Sequence, residues 1–281
     1  MCRAVHGGAG GYGGTNSVHV AATTGGVIDL SSFQENEGIR YPTAASSGIL
    51  RLGSLVMTSG MATSADGLDS RLEMGDFVLQ TGATLSVTDG AALAITGDLQ
   101  NELTDGNQCG FDTGIVRVDG ARGHWYEIAG VDLGVDGATS GSFGLMQLVP
   151  GSDAGPATVQ LTDIHDNDGA GQGGLEALHH YGSAGLDGVE IYNGSTLVIG
   201  SVQVYALING NMVELHDLFG PGETVISFDS GLNSGFIAIP KPVTLSLLAA
   251  GALAAILMSW QPVRHDGSRW PVRLALGNET R

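Results

Sequence analysis

Thr81-Gly-Ala-Thr-Leu-Ser-Val-Thr-Asp-Gly90 is followed at once by Ala91-Ala-Leu-Ala-Ile-Thr-Gly-Asp98. Each block holds a five-residue run, 83–87 and 91–95, that alternates small or polar with apolar residues and closes on Asp-Gly or Gly-Asp. Period-two alternation puts Leu85 and Val87, and likewise Leu93 and Ile95, on one face of an extended chain. A run this short with a turn at each end cannot be a helix. Similar β-prone runs recur at 27–30, 48–52, 77–80, 115–118, 131–135, 145–149, 158–161, 189–192, 196–199, 202–208, 213–215 and 225–228. No stretch before Val243 keeps helical spacing for three turns without a glycine. The body is therefore expected to be all-β.

The chain has 46 glycines but only 8 prolines. Without a Gly-X-Y period this excludes collagen and fits many tight turns between many short strands. Aromatic residues make up only 6%. A β-sandwich core uses longer strands and more large aromatics. A parallel β-helix, or β-solenoid, needs only a narrow stripe of Val, Ile, Leu and Ala per coil. The expected body is such a solenoid over 26–238, with about eight coils of about 25 residues. Residues 1–25 are expected to be a flexible Gly-rich segment. Gly8-Ala-Gly-Gly-Tyr-Gly13 matches G-x-G-x-x-G by letter, but no strand precedes it and no helix follows to meet a phosphate.

Charge divides the chain. Residues 1–240 carry 27 Asp+Glu against 6 Arg and no Lys, a net of −21, whereas 241–281 carry a net of +3. An acidic body repels nucleic acid and anionic lipid, so no nucleic-acid partner is expected. Between them, Val243–Trp260 contains no charged residue. As a helix of about 18 residues it would span roughly 27 Å, close to a bilayer's hydrocarbon thickness. One C-terminal transmembrane helix is thus expected, with the basic tail 261–281 cytoplasmic and the acidic body outside. That arrangement anchors the protein in an inner membrane, with a surface or extracellular destination if it is processed. The start, Met1-Cys-Arg-Ala-Val-His6, has no apolar leader, so a leader is expected upstream of Met1. The two cysteines, Cys2 and Cys109, are compatible with export and are not expected to pair.

Val118-Asp-Gly120, Trp125, Val131-Asp-Leu-Gly-Val-Asp-Gly137 and Gly188-Val-Glu-Ile-Tyr-Asn-Gly-Ser-Thr-Leu-Val-Ile-Gly200 resemble the Gly-rich passenger repeats of autotransporter-type surface proteins. The resemblance covers about 75–235 and implies a right-handed parallel β-helix, with Trp125 as a packing residue. The acidic stretch 151–185 departs from it and reads as a loop extruded from one coil. The segment 239–260 resembles the PEP-CTERM sorting signal of Gram-negative and planctomycete-like bacteria. Pro240-Lys241-Pro242 stands where that family has Pro-Glu-Pro, and the apolar helix follows. Arg264, Arg269 and Arg273 are dispersed where the family packs an Arg cluster. The resemblance implies an exosortase-like processing partner. Lys241 inverts the charge of the motif's centre, so permanent anchoring stays open beside cleavage.

The most chemical stretch is Asp163-Ile-His-Asp166-Asn-Asp168-Gly. Carboxylates this close in a Gly-rich loop can converge on Ca²⁺, so Asp163, Asp166 and Asp168 are its candidate ligands. No other cofactor is required. The same carboxylates could supply a glycosidase pair. A lyase would want Lys or Arg as base, and only Arg117 and Arg122 lie in the repeat region. His179-His180 reads as a loop pair. No G-x-S-x-G, C-x-x-C or G-x-x-x-x-G-K-[ST] is present. The expected function is non-enzymatic: a structural or adhesin-like protein of the cell surface or extracellular matrix, contacting polysaccharide or other surface proteins. A carbohydrate-active β-helix enzyme is the second reading, and a truncated non-functional fragment the third.

Overall fold

Leu50 and Leu52, Leu72 and Met74, and Leu93 and Ile95 sit two apart in their strands, and all six are buried. Alternation thus builds the core. In the computed structural model Leu50 lies beside Leu72, and Leu72 beside Leu93, on neighbouring parallel strands. The structure describes residues 18–32, 39–135, 143–167, 176–183, 185–230 and 233–240. The chain divides into two units, Met1–Pro240 and Lys241–Arg281. The second lies outside the described residues.

Each early circuit of chain gives one strand to each of three columns. The first column is β1 (Val18–Thr23), β3 (Ile39–Ala45), β6 (Ala62–Asp66), β9 (Thr84–Thr88) and the start of β12 (Cys109–Val118). The second is β2 (Val27–Leu30), β4 (Ile49–Leu52), β7 (Arg71–Met74), β10 (Ala92–Ile95), the end of β12, β14 (Leu145–Pro150), β16 (Ala177–His180) and β18 (Gln203–Ile208). The third is β5 (Leu55–Met57), β8 (Phe77–Leu79), β11 (Leu99–Asn101), β13 (Gly123–Glu127), β15 (Thr158–Thr162), β17 (Thr196–Val198) and β21 (Ser234–Ala238). Pairing along all three columns is parallel. Because β12 belongs to the first two columns, they form, with β19, one 13-stranded sheet, and the third column forms, with β20, an eight-stranded sheet. At the C-terminal end β18 pairs antiparallel with β19 (Asn211–Glu214), and β21 with β20 (Val225–Asp229). The β18–β19 turn carries Asn209 and Gly210 at φ 51° and 77°, the left-handed pair that suits a two-residue hairpin.

Polar ladders support the turns between the second and third columns. The Asp76 N–H meets Ser54 Oγ at 3.3 Å, and the Asp98 N–H meets Asp76 Oδ1 at 3.1 Å, each 22 residues apart. The Trp125 N–H then meets Asp98 Oδ1 at 3.0 Å, 27 residues on. Arg122 sits on this column of carboxylates, 2.9 Å from Asp76 and 3.9 Å from Asp98. A Cβ on Gly97 would lie 2.2 Å from Asp76 Oδ1 and 2.4 Å from its backbone nitrogen, so only glycine fits there.

The expected right-handed parallel β-helix with a transmembrane helix requires correction. The body is all-β, but the bent sheet and its partner form a nearly closed, barrel-like parallel arrangement that only loosely resembles a β-helix. Equal coils of about 25 residues do not occur. The step between hydrogen-bonded neighbours grows from 22 residues (Arg51–Glu73) to 35 (Glu127–Thr162), 38 (Ala157–Ser195) and 41 (Asn193–Ser234). Of the inserted residues, 131–135 lie over β16 and β18 of the second column through Gly134–His179 and Asp132–Tyr205, and β14 and β16 are buried on both faces. Among the described residues no helix is long and apolar enough to cross a membrane, so anchoring by a C-terminal helix is withdrawn. Segment 243–260 lies outside those residues. Strands also begin earlier than expected, at Val18, and the 151–185 stretch holds β15 and β16 rather than one extruded loop.

Candidate functional site

The acidic loop is fixed by two buried carboxylates that the sequence reading did not single out. Glu127 ends β13 and is 3% exposed. Its Oε1 accepts the N–H groups of Ile164 (2.5 Å) and His165 (2.7 Å), and its Oε2 accepts the Thr162 hydroxyl at 2.7 Å. His165 Nδ1 lies 3.4 Å from the same carboxylate. Glu176 is also buried and accepts the Asn167 N–H. The Asn167 side-chain amide donates to the carbonyls of Asn101 (3.0 Å) and Leu103 (2.6 Å). The loop's backbone donors thus turn inward, while the side chains of Asp163 and Asp166 stand exposed. Asp168 lies outside the described residues. Among the described residues no three His, Cys, Asp or Glu side chains gather as a metal site.

His179 and His180 are not a loop pair. They lie in β16, both buried, and as strand neighbours they face opposite sides. His179 stacks on Tyr205 with ring centroids 4.9 Å apart, and its Nε2 lies 3.1 Å from the Gly134 carbonyl oxygen. The Tyr205 hydroxyl donates to Asp132 Oδ1 at 2.9 Å, which fastens segment 131–135 over this face. Burial, then the Asp132 carboxylate, pushes the Tyr205 phenol up to about 12. His180 faces the interior beside Leu145 and Ala206. Neither of its ring nitrogens has a hydrogen-bond partner among the described residues. Burial, with His179 adjacent, drives its pKa down to about 3. These histidines brace the fold, and among the described residues neither is hydrogen-bonded to a carboxylate, hydroxyl or thiol.

The candidate lyase bases are also engaged: Arg122 by Asp76 and Asp98, and Arg117 by the Tyr192 ring, 5.4 Å from its centroid. A cleft of about 560 Å³ opens between Ser183, Gly185–Asp187 and the 209–210 turn. Gln147 forms part of its lining, with Asp187 and Glu190 beside it. Asp187 accepts the Asn209 N–H (2.8 Å) and Glu190 accepts the Asn233 amide (2.7 Å), so each carboxylate holds part of the chain around the cleft in place.

The outer face of the third column is different. Trp125, expected to pack inside, is 59% exposed. His124 and Tyr126 take the inward positions of β13, and alternation turns Trp125 out. Two outward rows cross five strands: Ser227–Phe236–Thr196–Thr158–Gly123 and Val225–Ala238–Val198–Gln160–Trp125. None of these ten residues is charged. The strand alternation itself held the signal for Trp125, since residues two apart share a face. Pro240 closes the described chain, just after the Ile239 N–H meets the Thr224 carbonyl at 2.9 Å, whereas Lys241 and Pro242 lie outside it.

Comparison with protein-family profiles, with curated proteins and with solved structures returned no match.

Proposed function

We propose that this is a non-catalytic structural or adhesin-like protein of the cell surface or extracellular matrix, which holds an extended polymer such as polysaccharide or another surface protein. The observation that carries this reading is the open outer face of the third column, where Trp125, Phe236 and Val225 stand 59%, 41% and 56% exposed in two rows of uncharged residues. Exposed large apolar residues grouped on one face mark interaction sites, whereas single scattered ones do not. The rest of the site chemistry points the same way. Glu127 and Glu176 are committed to backbone donors, and the arginines of the repeat region to carboxylates or a ring. An outward destination is supported by the strongly acidic body and by the likeness of Pro240-Lys241-Pro242 to a sorting motif.

The test is co-sedimentation with insoluble cell-surface polysaccharides, alongside an assay for released reducing ends and unsaturated products. Binding without turnover is the expected result. Release of soluble fragments at a rate that follows protein concentration would replace this reading with an enzymatic one.

A further inference from the structure

Resting on that reading, we propose that the two uncharged rows of the third column form a binding platform for an uncharged polysaccharide chain, with Trp125 and Phe236 as its stacking points. Phe236 is 41% exposed and points out from β21. It lies three strands from Gly123 in one row, and Trp125 lies two residues along β13 in the other. With strands about 4.8 Å apart and about 3.3 Å per residue, the two rings are rooted roughly 16 Å from each other. No single sugar ring reaches both, but a chain of several units does. The C–H faces of sugar rings are apolar and pack on aromatic faces, while their hydroxyls need hydrogen-bonding partners between. Thr158, Thr196 and Gln160 lie between the two aromatics and supply donors and acceptors, and Val198 supplies an apolar floor.

Charge selects the occupant. The body carries a net −21 over residues 1–240. A second copy of the chain would bring a like charge against this face, and so would an anionic polysaccharide. The rows themselves hold no cation, and Arg122 at their edge is engaged by Asp76 and Asp98. An uncharged, hydroxyl-rich chain pays no such penalty.

The experiment is affinity gel electrophoresis of the protein in gels containing hydroxyethylcellulose, galactomannan or dextran. Carboxymethylcellulose serves as the anionic match to the first. At least one neutral polymer should retard the protein, and carboxymethylcellulose should retard it much less. Trp125→Ala and Phe236→Ala should each weaken the retardation about tenfold while leaving the circular dichroism spectrum unchanged. Where hydroxyethylcellulose retards the protein, cello-oligosaccharides should bind measurably only once several units long, since two separated contacts act together. The inference is overturned if no neutral polymer retards the protein, if the anionic polymer retards it equally, or if both variants bind as wild type. It is also overturned if Trp125→Ala instead abolishes a dimer seen by ultracentrifugation. Retardation that ignores both substitutions removes this face but keeps an adhesive protein. Failure to bind any polymer removes both.

Discussion

Glu127 gives the sharpest test of how the acidic loop is held. Its carboxylate is 3% exposed and accepts two backbone N–H groups and one hydroxyl. Glu127→Ala leaves these donors buried without a partner. At about 1–3 kcal/mol for each orphaned buried group, the loss should be roughly 4 kcal/mol after partial hydration of the space. Glu127→Gln should cost far less. Its carbonyl can still accept both N–H groups, and the Thr162 hydroxyl can rotate to accept from the new amide. What is lost is charge assistance, about 1–2 kcal/mol. For a body of this size 1 kcal/mol moves the melting midpoint by about 2–4 °C. Thermal melts should therefore show a drop of about 8–16 °C for Ala and about 2–8 °C for Gln. Amide exchange at Ile164 and His165 should accelerate in the same order. Asp163→Ala and Asp166→Ala, both at exposed side chains, should cost less than Glu127→Ala. If Glu127→Ala costs less than the exposed aspartates, or exchange at 164 and 165 does not change, the loop is held by something else.

Three further outcomes follow from the same geometry. His180 binds no proton in the folded protein until its depressed pKa near 3, whereas the unfolded chain takes one up near 6.5. Stability should therefore fall as the pH drops from about 6.5 toward 3, by about 2–3 kcal/mol at pH 4.5, and His180→Leu should remove most of that slope in urea titrations. Gly97→Ala, whose Cβ would collide with the Asp76 backbone, should cost about 2–3 kcal/mol, while Gly123→Ala, which meets nothing within 4 Å, should be near neutral in thermal melts. Arg122→Ala should cost under about 1 kcal/mol because its ion pairs are exposed. Asp76→Ala should cost more in the same melts. Hydrogen bonds from the Asp98 N–H, then Arg122 and Ser54, hold its carboxyl below the ordinary range, so its contribution is present at neutral pH and lost as the pH falls through that lowered value.

What the sequence made legible was what alternation encodes. Leu85 and Val87, and Leu93 and Ile95, are all buried, as a period of two requires. The two consecutive blocks 83–87 and 91–95 become β9 and β10, which belong to different columns and do not pair with each other. β9 pairs with β6 on the previous circuit and with the start of β12 on the next. β1, β3 and β6 escaped notice because their inward residues include Ala22, Ala44 and Ala65, whose small side chains carry little β-propensity. They stack in one inward row, Ala22–Ala44–Ala65–Val87, across β1, β3, β6 and β9. Val131–Val135 and Val189–Tyr192 looked like strands by composition; the first meets the sheets at the isolated bridge Val131–Glu176, and the second runs beside β14 through the Leu148–Val189 bridge and the hydrogen bonds Glu190 N–H to Leu148 and Tyr192 N–H to Pro150. Glu127 and Glu176 were invisible as anchors because their partners lie 9 to 38 residues away in an irregular loop.

Circuit length explains where an open face remains. In the short circuits the outward charges of the second column close on one another. Arg51 lies 3.8 Å from Asp29 and 2.6 Å from Glu73, and Arg71 lies 3.3 Å from Glu73. Four of the body's six arginines are spent on such ladders or on Asp76 and Asp98, or stack on a ring, and each is part of the scaffold. In the long circuits segment 131–135 covers His179 and Tyr205, and residues 163–167 fold back onto Glu127 at the end of β13. Both insertions cover polar groups that would otherwise need water or a partner. The outer rows of β13, β15, β17, β21 and β20 carry no charged side chain themselves, meet the Asp76–Asp98–Arg122 ladder only at the Trp125 edge, and have no covering loop among the described residues. Two uncharged rows in a chain with 27 acidic residues over its first 240 are where a weak, repeated contact with an uncharged polymer costs the least desolvation of charge.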